Sequence, residues 1–191
     1  MTTPLIWAID LATITGLATG RVGETPIAHS IKLAPQGASA NLLFVGCLHW
    51  FSDALVKGPK PDIVAIEELL PPIARRGKTS TGAQHRLAGL HGIVRALACH
   101  HDVREVTSAN VLDVRQHFIH ERTFKREDAK RRVHDTCKML GWHAADDNCA
   151  DALALWSYTV ALINPLTALR TTPLFGSWED VARVRQTKQR G

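Results

Sequence analysis

The sequence predicts an α/β fold: a mixed five-stranded sheet, its first three strands antiparallel, with helices on both faces. Three observations lead there. Three strand-type apolar runs near the start are joined by only a few residues, which suits an antiparallel meander. Later runs alternate with segments whose apolar residues recur at helical spacing, which suits strands linked by helices. Prolines bound the fourth run on both sides (Pro61, then Pro71-Pro72), marking it as a short strand between connections.

In order, residues 5–11 (LIWAIDL) form the first strand, with Asp10 near its end. Gly16, Gly20 and Gly23 punctuate two further strands at 17–22 and 27–33. Residues 39–56 follow as an amphipathic helix capped by Ser39, with Phe44, Cys47 or Leu48, Phe51 and Leu55 on its apolar stripe and Gly58-Pro59 at its end. Residues 62–68 (DIVAIEE) are the fourth strand. Side chains alternate along a strand, so Glu67 shares a side with Ile63 and Ala65, and Glu68 takes the other. Glu67 is the glutamate chosen for a site, since Glu68 reaches solvent where the strand ends.

Residues 71–85 are a loop carrying Arg75, Arg76 and Lys78, with Arg86 just beyond, amid glycines and hydroxyls that suit phosphate contacts. Ala83, Leu87, Leu90, Val94 and Leu97 mark a helix, residues 103–106 a short strand, and Ser108 the cap of a helix over 109–118. Residues 122–132 (RTFKREDAKRR) open a helix with Ala129, Val133, Cys137 and Leu140 on its buried stripe, stopped by Gly141. Its basic residues Lys125, Arg126, Lys130 and Arg131 suit a phosphate backbone, although the interleaved acids also permit pairing within the helix. The last helix ends near Asn164-Pro165. Residues 165–191 form a tail with a short helix from Ser177.

Composition limits the function. With 191 residues, one domain is expected; the net charge of +5 and pI near 9.3 favour acidic partners, nucleic acid first. The four cysteines are spread without a CxxC pair, which points to a reducing compartment and away from structural zinc. No signal peptide or membrane span is expected, so the reading is cytosolic. His100-His101 and His117-x-x-His120 lack the cysteine or carboxylate that would complete a transition-metal set.

The chemistry sits in the acids. Asp146-Asp147-Asn148-Cys149-Ala150-Asp151 places three carboxylates within six residues, directly before residues 152–163, which carry no charge. Spacing of four puts Asp147 and Asp151 on one helix face, with Asn148 close beside. A helix cap and the helix dipole account for two aspartates but not for Asp151, a full turn in beside Ala152 and Leu153. A hard divalent cation would offset both repulsion and desolvation. Asp10 poses the same problem inside a buried strand, unless the Thr13 or Thr15 hydroxyl satisfies it. Acids on two strands and a covering helix can converge, and such a set can hold two Mg²⁺ ions about 3.5–4 Å apart.

Three pieces carry a resemblance: Ile9-Asp10 followed by Thr15-Gly16 (IDLATITG), residues 61–67 (PDIVAIE) and residues 150–154 (ADALA). In this order and at these intervals the chain resembles the RuvC family of Holliday-junction resolvases, of the ribonuclease H-like superfamily, over roughly residues 5–163. The resemblance implies a ribonuclease H-like nuclease domain over 1–164 and catalytic metal ligands at Asp10, Glu67 and Asp151. Bacterial members carry aspartate or histidine three residues before the last aspartate, where this chain has Asn148. The DDNxADALALW wording looks more like the phage-type branch. That branch implies Asp147 as the fourth catalytic ligand, with Asp146 as its rival and Asn148 able to coordinate only through its side-chain carbonyl. The resemblance further implies a homodimer using Mg²⁺, with Mn²⁺ as substitute, in a bacterial or phage-infected cytosol. Its substrate would be four-way junctions and related branched DNA, cut by paired hydrolysis leaving 5′-phosphates. A ribonuclease H-type hybrid nuclease and a catalytically silent branched-DNA-binding protein are the alternatives. The former family places an acid in the helix after the third strand, where this chain offers only Asp53.

Overall fold

The computed structural model describes residues 3–69, 81–121 and 125–166. Five strands form one sheet in the order β3-β2-β1-β4-β5: β1 (Leu5–Asp10), β2 (Ile14–Arg21), β3 (Ile27–Lys32), β4 (Ile63–Glu67) and β5 (Glu105–Ala109). β1–β2 and β2–β3 are antiparallel, whereas β1–β4 and β4–β5 are parallel, the mixed sheet that the sequence predicts. The helices are α1 (Ala40–Lys57), α2 (Thr81–His100), α3 (Val111–Ile119), α4 (Arg126–Met139) and α5 (Asp147–Ile163).

Alternation along the strands sorts the core into two layers. Leu5, Trp7, Ile9, Val64 and Ile66 face α1 and α2, against Leu43, Cys47, Phe51, Leu90 and Val94. Ile6, Ala8, Ala18, Ile63 and Ala65 face the other way, against α3, α4 and α5. Asp10 and Glu67 continue the second set, so both carboxylates lie on the α5 side. Helices therefore cover both faces. On α1 the expected stripe holds at Cys47, Phe51 and Leu55, with Leu48 exposed; only its first position differs, Leu43 being buried where Phe44 is partly so. On α4 the expected stripe holds at Ala129, Val133 and Cys137.

Two boundaries differ from the sequence reading for identifiable reasons. β2 begins at Ile14 and runs through Gly16, which pairs with Asp10 and Ser30 inside the ladder instead of punctuating it. Ser108 does not cap α3: it pairs with Ile66 within β5, and its hydroxyl accepts a 2.6 Å bond from Arg95. Asn110 takes the cap, accepting from the Leu112 N–H at 2.9 Å.

α5 is the buried centre of its layer, with Ala152, Leu153, Leu155 and Trp156 almost wholly covered. It can lie close because β2 turns a small-residue stripe, Gly16, Ala18 and Gly20, towards it. A Cβ at Gly20 would stand 3.2 Å from the Trp156 ring, whose Nε1 donates to the Gly20 carbonyl at 3.3 Å. Trp156 meets Trp142 edge-on, and Trp142 stacks on Phe118, tying α5 to α3 and the end of α4.

On the opposite face, His91 is buried within α2, and burial, helped by the Arg95 charge, lowers its pKa from 6.5 to about 4. The unfolded chain then binds the extra proton between those values, so stability should fall as pH drops from 6.5 towards 4. Denaturant unfolding across that range should show this slope in the wild type and a flatter one in His91→Leu.

Candidate active site

The register of the parallel pair sets Ile9 opposite Ile66, so Asp10 and Glu67 follow at adjacent strand ends. α5 crosses over them from the β2 side. Its approach is closest at Gly16, where an added Cβ would stand 2.0 Å from the Asn148 carbonyl oxygen and 3.2 Å from the Ala152 Cβ. The absent side chain lets the first turn of α5 press onto β2 beside Asp10, and Asp151, one turn along, comes over the two strand acids.

The electrostatics show the convergence. Asp10 titrates well above the usual carboxylate range, because burial penalises its charge and Glu67 and Asp151 repel it. Glu67 is raised to about 7 by burial and then by Asp151, with Arg115 opposing. Asp151 is raised chiefly by burial and also by Asp147, against the opposing charges of Arg115, Lys130 and His134. The Thr15 hydroxyl donates to the Ala12 carbonyl at 2.9 Å and so cannot also donate to Asp10. No hydrogen bond joins Asp10 to Thr13 or Thr15 among the described residues. The local explanation for a buried aspartate therefore fails.

The remaining α5 acids are committed elsewhere. Asp146 is the N-cap, accepting from the Cys149 N–H at 2.8 Å and the Ser30 hydroxyl at 2.7 Å. Partial burial pushes its pKa up, but these bonds outweigh it and hold the carboxyl low. Asp147 is ion-paired with Lys130 and lies 3.0 Å from His134 Nε2, both on α4; the Lys130 bond is the main cause of its lowered pKa. Asn148 contributes its backbone at the Gly16 contact.

Among the described residues, no group of three or more His, Cys, Asp or Glu side chains is gathered tightly enough to hold a metal ion as it stands. The donor set still suits a hard cation. It is all oxygen, desolvated and mutually repelling, the conditions that a bound divalent charge would reverse.

The expected basic residues divide. Lys130 is engaged with Asp147, and Arg131 pairs with Asp128 at 2.9 Å on the surface. Lys125 is exposed at the start of α4, and Arg126 opens that helix, its side chain outside the described residues. Arg86 is exposed on α2. α2 ends where β5 begins, beside Ile63 at the far end of β4, so its beginning lies towards the acid end of the sheet. Arg75, Arg76 and Lys78 lie outside the described residues, as does the tail beyond 166. Glu68 is exposed, with the Asn110 amide donating to it at 3.4 Å, as expected of a strand-end residue.

Sequence reasoning missed Arg115, His134 and Ser30. The four-residue spacing of Lys130 and His134 on one α4 face was a readable signal. Nothing local to Arg115 or Ser30 ties them to acids so distant in the chain.

No protein-family model matches the chain, and no curated protein matches it. Solved structures do. Thermus thermophilus RuvC matches with a TM-score of 0.59 at 20% identity, covering 83% of this chain and 95% of that one. T. thermophilus RuvC in complex with Holliday junction substrate gives 0.61 at 19% identity, covering 84% and 95%. The yeast mitochondrial Holliday junction resolvase Ydc2 gives 0.50 at 14%, covering 83% and 78%. The likeness is one of fold: the chain has the RuvC-like, ribonuclease H-like architecture.

Two outcomes follow from the geometry. Gly16→Ala should destabilise the protein by about 1–3 kcal/mol, because the colliding atom is backbone and α5 must lift; chemical denaturation measures it. In chelator at neutral pH, Asp10→Asn and Glu67→Gln should each melt a few degrees above wild type, since each removes a desolvated, repelled charge. Added Mg²⁺ should raise the wild-type melting temperature and close that gap.

Proposed function

We propose that the chain is a divalent-metal-dependent, structure-selective endodeoxyribonuclease. It nicks four-way junctions and related branched DNA at paired positions, leaving 5′-phosphates. The observation that carries this reading is the meeting of Asp10, Glu67 and Asp151, from β1, β4 and α5, with pKa values raised by burial and by one another. A hydrogen-bonded structural carboxylate shifts the other way, as Asp146 does. The fold shared with RuvC, of which one solved structure holds Holliday junction substrate, supports the choice of branched DNA.

In this reading Asp10, Glu67 and Asp151 hold the cations, with Asp147 as the fourth ligand and Asp146 as its rival. Two Mg²⁺ ions held there, or Mn²⁺ in their place, would supply the positive charge for activating water and stabilising the leaving 3′ oxygen. Asp146 fixes the first turn of α5 through Cys149 and Ser30, which keeps Asp151 over the strand ends. Lys130, beside Asp147, also stands where an incoming phosphate would be held. In the same reading Arg75, Arg76, Lys78, Arg86, Lys125, Arg126 and Arg131 contact the backbone without reading bases. Residues 1–164 form the nuclease unit. A homodimer would present two such sites to opposing strands, and the Asp147-Asn148 wording favours the phage-type branch. The cytosol of a bacterium or of its phage-infected counterpart is the matching compartment.

One observation weakens the hybrid-nuclease alternative. Asp53 pairs with Lys57 at 2.6 Å on the exposed surface of α1, across the sheet from the acids. One observation favours a catalytically silent DNA-binding protein: Asp147 is already neutralised by Lys130 and His134, and its neighbour is Asn148.

The deciding experiment incubates purified protein and Mg²⁺ with a synthetic four-way junction, a flap, a fork, plain duplex and an RNA–DNA hybrid. Paired nicks in the junction are expected, lost in chelator. Asp10→Asn and Glu67→Gln should each cut at least a hundredfold more slowly while binding the junction within a few-fold of wild type. Full cleavage by either variant would discard the assignment, and cutting of the hybrid alone would select the ribonuclease reading.

A further inference from the structure

Beside the acids, against α4, lies a hollow of about 430 Å³ that the proposed chemistry does not use. Its walls include His134, Asp135, Lys138, Gly141, Trp142 and His143. That volume is within the range of small-ligand sites. None of the three converging acids lines it, but His134 does, and the same imidazole touches Asp147 at 3.0 Å. The hollow and Asp147, the outermost of the acids, are therefore neighbours separated by one side chain.

The walls have a chemistry of their own. Lys130, His134 and Lys138 recur every four residues on α4, a row advancing about 6 Å per step along the helix axis. The row starts at Asp147 and ends in the hollow, so it carries basic groups from the acids to the hollow's rim. Trp142 is 8% exposed and fixed by Phe118, stacked at 6.0 Å, and by Trp156, edge-on at 5.8 Å; it offers a rigid edge. His134 and His143 add imidazoles, which stack on bases and hydrogen-bond to their edges. Gly141, at φ +73°, would carry its Cβ into open space, so nothing closes the wall there. Apolar edge, imidazoles and a lysine together suit a nucleobase with its phosphate better than either part alone.

We infer that this hollow receives one unpaired nucleotide of the strand whose phosphate lies at the acids. Its base rests against His134, His143 and the edge of Trp142, and its phosphate meets Lys138. The inference rests on the DNA-cleaving reading and deepens it: the branch point would be selected because only there is a base free to leave its pair and enter.

The test uses the wild-type protein with Ca²⁺ in place of Mg²⁺, fluorescence anisotropy on a four-way junction, and a single abasic nucleotide walked through each arm. One position within a few nucleotides of the cut should weaken binding at least fivefold, the loss expected when a stacked base is removed. His143→Ala should weaken the intact junction similarly yet lose nothing further on the abasic one, because the two changes delete the same contact. Lys138→Gln should weaken intact-junction binding several-fold, whereas Lys57→Gln, which removes the same charge on the far side of the sheet, should not. Circular dichroism melts check the variants, and the abasic walk stands without them. If no abasic position matters while the junction is still nicked in Mg²⁺, the hollow is not a nucleotide site and the nuclease reading survives. An abasic effect without nicking in Mg²⁺ supports the hollow and sinks the nuclease reading.

Discussion

The arrangement of the site depends on how closely α5 lies against β2. Strand residues with ordinary side chains would hold a helix at the usual interlayer distance. Gly16, Ala18 and Gly20 let it come nearer, near enough for the Asn148 carbonyl to occupy the space of a missing Cβ. The contact has two effects. It seals the apolar length of α5 against the sheet, and it sets the start of that helix over the strand ends where Asp10 and Glu67 emerge. Because Gly16 pairs with Asp10 in the ladder, the residue that admits the helix and the residue that faces it are adjacent. One glycine thus links packing to chemistry.

The cost of that placement is electrostatic. Burial dominates the raised pKa values of Asp10, Glu67 and Asp151, and their repulsion adds to it. A fold selected for stability alone would put apolar residues there, extending the Ile6-Ala8 and Ile63-Ala65 rows by one position. The surrounding structure tolerates the acids by spending packing elsewhere: the Trp142–Trp156–Phe118 cluster and the almost wholly covered middle of α5 anchor the layer. Arg115 and Lys130 supply partial compensation.

Much of this was legible in the chain because it is written in local patterns. Period-two runs with short connections gave the meander, and alternation put Glu67 and Glu68 on opposite sides with Glu68 at the strand end. Asp10 and Asp151 stood out because each interrupts an apolar stretch that no cap or turn explains. What escaped was non-local. Gly16 reads as a turn signal until the helix lying on it is known, and Ser108 reads as a cap until β4 claims it for the sheet. Arg115 and Ser30 reach the acids only through tertiary packing. Lys125, Arg126, Lys130 and Arg131 suit a phosphate backbone or pairing within the helix, and nothing in their spacing reveals that Lys130 turns to Asp147.

That last pairing bears on the departure at Asn148. A carboxylate there would join Asp147 and Asp151 within one turn, beside two strand acids that burial already disfavours as anions. Instead, position 148 is neutral and presses its backbone on Gly16, while Asp147 is held by Lys130 and His134 at the rim. The negative charge is thus divided between an inner group, Asp10, Glu67 and Asp151, and an outer aspartate whose partners belong to α4. An inner group of three acids opposed by Arg115 and Lys130 carries less unbalanced charge than four would. On the proposed reading, drawing Asp147 inward as a fourth ligand would require another anion at Lys130, and a DNA phosphate has the charge and size for that place.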